Sequence, residues 1–167
     1  MHLYLIRHAT AADAPAGTTP EGLPEGIDAA DADRPLTPRG ARRFCEVVRG
    51  LERLGIGFDR VYHSPLLRAV QTAELLDGLV TGETIVSTHL AGPPSELFLT
   101  SLDGDRVAVV GHQPWLGELL GILTLGTVEA GRAFTWKKGG VAWLEGEPAP
   151  NGMTVRGFWA PRILRER

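Results

Sequence analysis

Leu3-Tyr4-Leu5-Ile6 is the stretch that most restricts how this chain can fold. A strand with one wet face alternates apolar and polar side chains. An unbroken apolar run instead suits a strand covered on both faces, as central strands of parallel sheets are. Arg106-Val107-Ala108-Val109-Val110 repeats the pattern late in the chain. Both runs end in polar chemistry, Arg7-His8 after the first and Gly111-His112 after the second. Open α/β sheets bind ligands just outside the carboxyl ends of their strands. These two dipeptides are therefore the first places to look for a site, although an isolated Arg-His or Gly-His is commonly no more than a polar strand end.

The rest of the chain fills in a layered α/β pattern. Residues 11–36, from Ala11 to Leu36, are rich in Ala, Pro, Gly and Asp, lack any period, and read as one long loop. Thr37-Pro38 then supplies an N-cap and a first helical position. Ala41, Phe44, Val47, Val48, Leu51 and Leu54 follow as a core-facing stripe, which Gly55 and Gly57 stop. Phe58–His63 reads as a second strand ended by Ser64-Pro65, and a helix follows with Leu66, Ala69, Val70, Ala73, Leu76 and Leu79 inward. Thr84–Val86 is a short strand candidate, Pro93–Leu102 contains a short helix, and Trp115–Leu125 is an apolar helix. Ala133–Glu145 and Met153–Trp159 read as strands of a hairpin. The expected architecture is α/β: one three-layer α/β/α domain over residues 1–167, with a mostly parallel sheet and a C-terminal antiparallel hairpin.

Bulk properties narrow the function classes. A chain of 167 residues buries a core without covalent staples, and its single cysteine, Cys45, has no internal partner. A net charge of −3 gives no basic face for nucleic acid or an anionic membrane, so neither is expected as a partner. Arg7 interrupts the first apolar run too early for a targeting core, and the expected location is the cytoplasm. Oligomeric state is not legible.

The chemistry comes from strand ends that a parallel sheet brings to one rim. Arg7 and His8 follow the first strand, Arg68 lies one turn into the helix after Ser64-Pro65, and His112 follows the late strand. A guanidinium is a planar fork suited to phosphate, and a neutral imidazole is a nucleophile. Two of each around one pocket match a transferring phosphoryl group, whose charge sits on its equatorial oxygens. His8 must be neutral to attack, whereas His112 is more useful protonated, as a donor. Gln113 offers a further backbone donor. His2, His63 and His89 lack metal-ligand spacing and read as structural or exposed, and no metal or other cofactor is called for. Asp28, Asp31 and Asp33 read as a solvated loop, with one of them a partner for Arg34. Trp136, Trp143 and Trp159 read as packing.

Four segments in order carry a resemblance to the histidine phosphatase superfamily, which also contains the cofactor-dependent phosphoglycerate mutases. They are Arg7-His8-Ala9, Arg34-Pro35-Leu36-Thr37-Pro38-Arg39-Gly40, Ser64-Pro65-Leu66-Leu67-Arg68-Ala69-Val70-Gln71-Thr72 and Gly111-His112. They span residues 3 to about 120, and within the superfamily the chain most resembles the small phosphohistidine phosphatases of the SixA type. The resemblance implies that His8 accepts the phosphoryl group and that Arg7, Arg68 and His112 bind it. Its implied substrate is a phosphorylated protein or a small phosphoester. A broad small-molecule phosphomonoesterase, a phosphoglycerate mutase-type isomerase and a non-catalytic phosphate-recognition module are the alternatives. The short interval between Thr72 and Val107 leaves little room for the cap that larger relatives insert there.

One departure bears on substrate. Many superfamily members protonate the leaving group with a carboxylic acid placed after the second-arginine helix. Here that stretch is Ser87-Thr88-His89-Leu90-Ala91-Gly92-Pro93-Pro94, with no carboxylate before Glu96, and Asp13 on the long loop is the other candidate. An imidazole leaves without such help because its conjugate acid has a pKa near ~6.5. An alkoxide loses ~10²–10⁴ in rate without a donor. The expected preference is for phosphohistidine on a partner protein.

Overall fold

The computed structural model describes residues 1–13 and 29–166. In chain order the elements are β1 (His2–Arg7), α1 (Ala29–Ala32), α2 (Pro38–Arg53), β2 (Phe58–His63), α3 (Leu67–Glu74), β3 (Val80–Val86), α4 (Glu96–Ser101), β4 (Arg106–Gly111), α5 (Trp115–Leu125), α6 (Val128–Gly131), β5 (Val141–Gly146), β6 (Met153–Trp159) and α7 (Pro161–Arg165). Single 3₁₀ turns at Asp77–Leu79 and Thr88–Ala91 flank β3. The six strands form one sheet in the order β3-β2-β4-β1-β5-β6. The β3/β2, β2/β4 and β4/β1 pairs are parallel, and β5 and β6 add an antiparallel edge.

The two apolar runs lie side by side at the centre of this sheet. Their alternate residues feed two cores. Leu3, Leu5, Val107 and Val109 pack on one face with Phe98 of α4 and Leu116 and Leu120 of α5. Tyr4, Ile6, Ala108 and Val110 pack on the other with Phe44, Val47 and Leu51 of α2 and Ala69 and Ala73 of α3. All eight strand residues are buried, which accounts for the absence of a polar alternation.

Register then positions the chemistry. Arg7 pairs with Gly111 and His63 with Val110, so all three strands end at one level. The ladder continues one step beyond, with the His8 N–H donating to Gly111 O at 3.0 Å and the Ser64 N–H to Val110 O at 3.1 Å.

The start of α2 is a clasp. Thr37 donates from its backbone N–H (2.9 Å) and its hydroxyl (3.2 Å) to Thr10 O, while its Oγ1 accepts the Gly40 N–H at 2.9 Å. Gly40 is required by this closeness, since a Cβ there would run into the Thr10 carbonyl oxygen. The backbone leaving the His8 strand is thereby tied to the head of a sixteen-residue helix.

Several expectations change. The strand expected over Ala133–Glu145 begins only at Val141; Gly139, at φ +80, and Gly140 turn the chain just before it, and Trp136 lies buried in the preceding loop. α3 stops at Glu74, and Leu79 reaches the core from the 3₁₀ turn. β3 is longer than Thr84–Val86, because an exposed edge strand has no apolar pattern to mark it. Leu54 is exposed, past the end of α2. The long loop contains the helical turn α1 and closes with an Ala11–Leu36 bridge. Residues 14–28 of that loop, Asp28 among them, lie outside the described residues. Between α3 and β4 there are only two 3₁₀ turns, the edge strand β3 and α4, and no separate lid.

Candidate active site

Arg7, His8, Arg68, His112 and Gln113 all line one pocket of about 490 Å³ at the rim where β1, β2 and β4 end. Four further side chains with polar or aromatic chemistry, Asp31, Arg34, Trp115 and Lys138, share it. The loop acids split: Asp31 belongs to the pocket, whereas Asp33 is exposed and outside its lining. Asp13 and Glu96 do not line the pocket either. His63 is buried, with Nδ1 at 2.9 Å from Ser64 O, and His89 is exposed with Nδ1 at 3.3 Å from Ser95 Oγ.

The backbone fixes the tautomer of His8. Its Nδ1 lies 2.7 Å from the Ala9 carbonyl oxygen, which can only accept, so the proton is on Nδ1 and the lone pair is on Nε2. Ala9 is itself held: its N–H donates to Thr72 Oγ1 at 3.0 Å, and the Thr72 hydroxyl donates to Arg68 O at 2.6 Å. One buried threonine on α3 thus joins the loop carrying His8 to the turn carrying Arg68. Gln71, beside it, accepts the Leu36 N–H at 2.7 Å. Arg68 and Thr72 lie one helical turn apart on α3, so the same turn presents a guanidinium to the pocket and holds the loop that carries His8. Thr72→Val leaves the Ala9 N–H unpaired in the interior. It should destabilise the fold by about 1–3 kcal/mol in chemical denaturation and lower turnover further than stability alone explains.

The arginines are aimed by carbonyls and one acid. Arg7 donates from Nη1 to Trp136 O at 2.6 Å. Arg68 donates from Nη1 to Asp31 O and from Nη2 to Asp31 Oδ2, the latter at 2.8 Å. Arg34 Nε lies 3.3 Å from Asp31 Oδ1, so this carboxylate braces two guanidinium groups. Nε of Arg7, Nε of Arg68 and both ring nitrogens of His112 are buried with no hydrogen-bond partner among the described residues. Unpaired buried donors are costly, and here they are gathered in one pocket, an arrangement an entering anion satisfies.

The surroundings of both histidines favour the neutral form. Burial is the main cause for His8 and lowers it to about 3; the Ala9 hydrogen bond opposes this, and the charges of Arg68, Arg7 and Lys138 add to it. Burial likewise lowers His112 to about 2, helped by His8, Arg68, Arg7 and Arg34. The two rings are 5.0 Å apart between centroids. His112 lies among like charges, so the protonated, donating form expected for it becomes favourable as an anion enters. Burial also lowers Lys138, as do Arg34 and Arg7, against the opposing charge of Asp13.

A pH dependence of stability follows. Below ~6.5 the unfolded chain protonates each histidine, whereas the folded chain holds His8 and His112 neutral down to about 3 and about 2. Stability from these groups is complete above pH ~6.5 and falls as the pH drops toward the folded values, by about 2 kcal/mol per histidine at pH 5. Thermal melts at pH 7.5 and 5 should show this loss, and His112→Asn should remove about half of it.

Among the described residues no three His, Cys, Asp or Glu side chains are grouped to hold a metal ion, and no helix is long and apolar enough to cross a membrane. Asp31, Arg34, Trp115 and Lys138 are the polar or aromatic pocket residues that sequence reasoning did not place there. Asp31 had a faint signal in its spacing to Arg34; Lys138 had none.

The sheet order, the rim of strand ends and the His-Arg-Arg-His pocket together define a phosphate-handling α/β enzyme. Comparison with known proteins makes this specific. The profile of the histidine phosphatase superfamily (branch 1) matches residues 3–91, more than half of the chain. An uncharacterized protein of Picosynechococcus sp. is 35% identical over 152 residues, covering 86% of this chain and 84% of its own. Among solved structures, the protein histidine phosphatase SixA complexed with tungstate superposes with a TM-score of 0.77 at 23% identity, covering 98% of this chain and 99% of SixA. The α-ribazole phosphatase of Shigella flexneri gives 0.68 at 21% identity, over 96% and 97% of the two chains. The chain belongs to the histidine phosphatase superfamily and is a phosphatase with a SixA-like fold.

Proposed function

We propose that the protein removes phosphoryl groups from phosphohistidine on a partner protein, through a phosphoryl group held transiently on His8 and without a metal ion. The observation that carries this reading is the convergence of the His8 ring, with its Nε2 lone pair, and unpartnered nitrogens of Arg7, Arg68 and His112 in one pocket. Nε2 attacks phosphorus as the P–N bond to the donor ring breaks; that ring, protonated on its other nitrogen, keeps the proton and takes the bonding pair, leaving as neutral imidazole. The arginines hold the equatorial oxygens through charge-assisted bonds. His112 donates an N–H, and the phosphate's negative charge favours its protonation. Water then attacks the phosphorus, releasing inorganic phosphate and restoring neutral His8.

The placement of the acids supports the substrate class. Neither Asp13 nor Glu96 is in the pocket lining, and Asp31 already accepts from Arg68 and pairs with Arg34. A leaving group that departs without a strong proton donor suits this arrangement, and phosphohistidine has one. No separate lid lies between α3 and β4, and among the described residues the rim is open to a side chain presented on a folded surface. A phosphohistidine protein and a panel of alkyl phosphates, assayed side by side, should give the higher kcat/KM for phosphohistidine, by at least ~10². Asp13→Asn and Glu96→Gln should change it little. A better alkyl phosphate substrate whose turnover one of those amides destroys would make the chain an acid-assisted phosphomonoesterase. A rearranged ester in place of free phosphate would make it a mutase.

A further inference from the structure

A second, larger concavity of about 700 Å³ adjoins the phosphate pocket and shares two residues with it, Arg7 and Lys138. It runs between the first half of α2, the 137–139 turn and α7. Its lining carries Arg43, Lys137, Arg162 and Arg165 in addition to the two shared cations, and no carboxylate among the described residues. Six of the chain's 17 Lys and Arg residues therefore line one groove of a protein whose net charge is −3. Arg162 and Arg165 face Glu166 and Glu46 at 3.5 and 3.8 Å, whereas Arg43, Lys137 and Lys138 enter no ion pair among the described residues.

We infer that this groove is a docking site for an acidic segment of the phosphoprotein substrate, next to the phosphorylated residue. The inference rests on the reading of a protein substrate. Like charges gathered beside a pocket that already holds three arginines repel one another, and an extended anionic partner relieves that repulsion. The floor distinguishes a peptide from a small polyanion. Ala160, Pro161 and Ile163 line the same groove and are exposed or half-buried, so it offers apolar surface beside its cations, with Phe44 and Val47 buried beneath. A chain alternating carboxylates with aliphatic stems uses both, whereas a second phosphate uses only the charges. Continuity through Arg7 and Lys138 lets one ligand place its phosphoryl group in the pocket and its flanking residues in the groove.

The test separates docking from catalysis. Fluorescent, unphosphorylated His-containing peptides with Asp/Glu flanks or with Asn/Gln flanks are titrated against the wild type, R43Q/K137Q and R43E/K137E by anisotropy. The same three proteins are assayed on phosphoramidate, a small phosphodonor that does not reach the groove. Neither Arg43 nor Lys137 lines the phosphate pocket, and both are exposed, so folding and phosphoramidate turnover should stay within about twofold of wild type. The acidic peptide should bind at least tenfold more tightly than the neutral one. That preference should shrink with added salt, weaken in R43Q/K137Q and vanish in R43E/K137E. Equal binding of the two peptides, or an unchanged preference in R43E/K137E, would overturn the proposal. So would a nucleoside diphosphate that binds tenfold more tightly than the acidic peptide. Failure of the phosphatase reading is seen separately, as absent hydrolysis of phosphoramidate and phosphohistidine by the wild type.

Discussion

His8→Ala should abolish turnover, lowering kcat by roughly 10⁴-fold or more, because it removes the imidazole whose Nε2 lone pair the backbone fixes for attack on phosphorus. His112, the nearest alternative, has its ring centroid 5.0 Å from that of His8. Its nitrogens lack the carbonyl partner that fixes the His8 tautomer. The loss should fall on kcat and leave anion binding largely in place, since both arginines and His112 remain. Inorganic phosphate should still raise the Tm of His8→Ala. Measurable phosphatase activity in a rigorously purified His8→Ala protein would mean that water attacks the substrate directly and that His8 only binds.

Arg68→Ala is the second large effect. Arg68 is buried, and its Nε is unpartnered while its Nη groups are held by Asp31. Removing the guanidinium takes away donors aimed at the transferring group, worth roughly 10²–10³ in kcat by comparison with a lost oxyanion donor. It also strips Asp31 of a partner at 2.8 Å, leaving a carboxylate beside a phosphate that it then repels. The total should therefore exceed the donor loss alone, at roughly 10³-fold or more. Adding Asp31→Asn to Arg68→Ala should recover about tenfold, whereas Asp31→Asn alone should lower activity because Arg68 loses its brace. That sign reversal is a coupling that only contacting residues show. Arg68→Lys should recover little, since an ammonium cannot use the fork. Equal, additive losses in the double variant would show that Asp31 does not act through Arg68.

What was legible in the sequence follows from what local pattern encodes. Leu3–Ile6 and Arg106–Val110 advertise two-faced burial, and parallel pairing then requires their ends, with His8 and His112, to meet. Thr37-Pro38 announces a helix start that the structure shows in full, cap included. The misses have a different physical origin. β3 is an exposed edge, so its residues carry no apolar signal. The 133–140 segment holds aromatic residues that resemble a strand, but its backbone serves Arg7 instead, through Trp136 O and Gly140 O. Asp31 enters the pocket from the single turn α1 and is held by Arg68, 37 residues away along the chain, while Lys138 enters from the turn before β5; no periodicity records either. The pairing of Gln71 with Leu36 and Thr72 with Ala9 is likewise invisible until the chain is folded.

The central claim, covalent transfer to His8, is tested most directly by trapping the intermediate. The wild type is mixed with phosphoramidate, quenched in alkali within milliseconds and digested for mass spectrometry. The phosphoryl group should be found on the peptide containing His8, stable in alkali, lost in acid, and absent from His8→Ala. Phosphate released at the wild-type rate with no label on that peptide, or label on His112 instead, would contradict it.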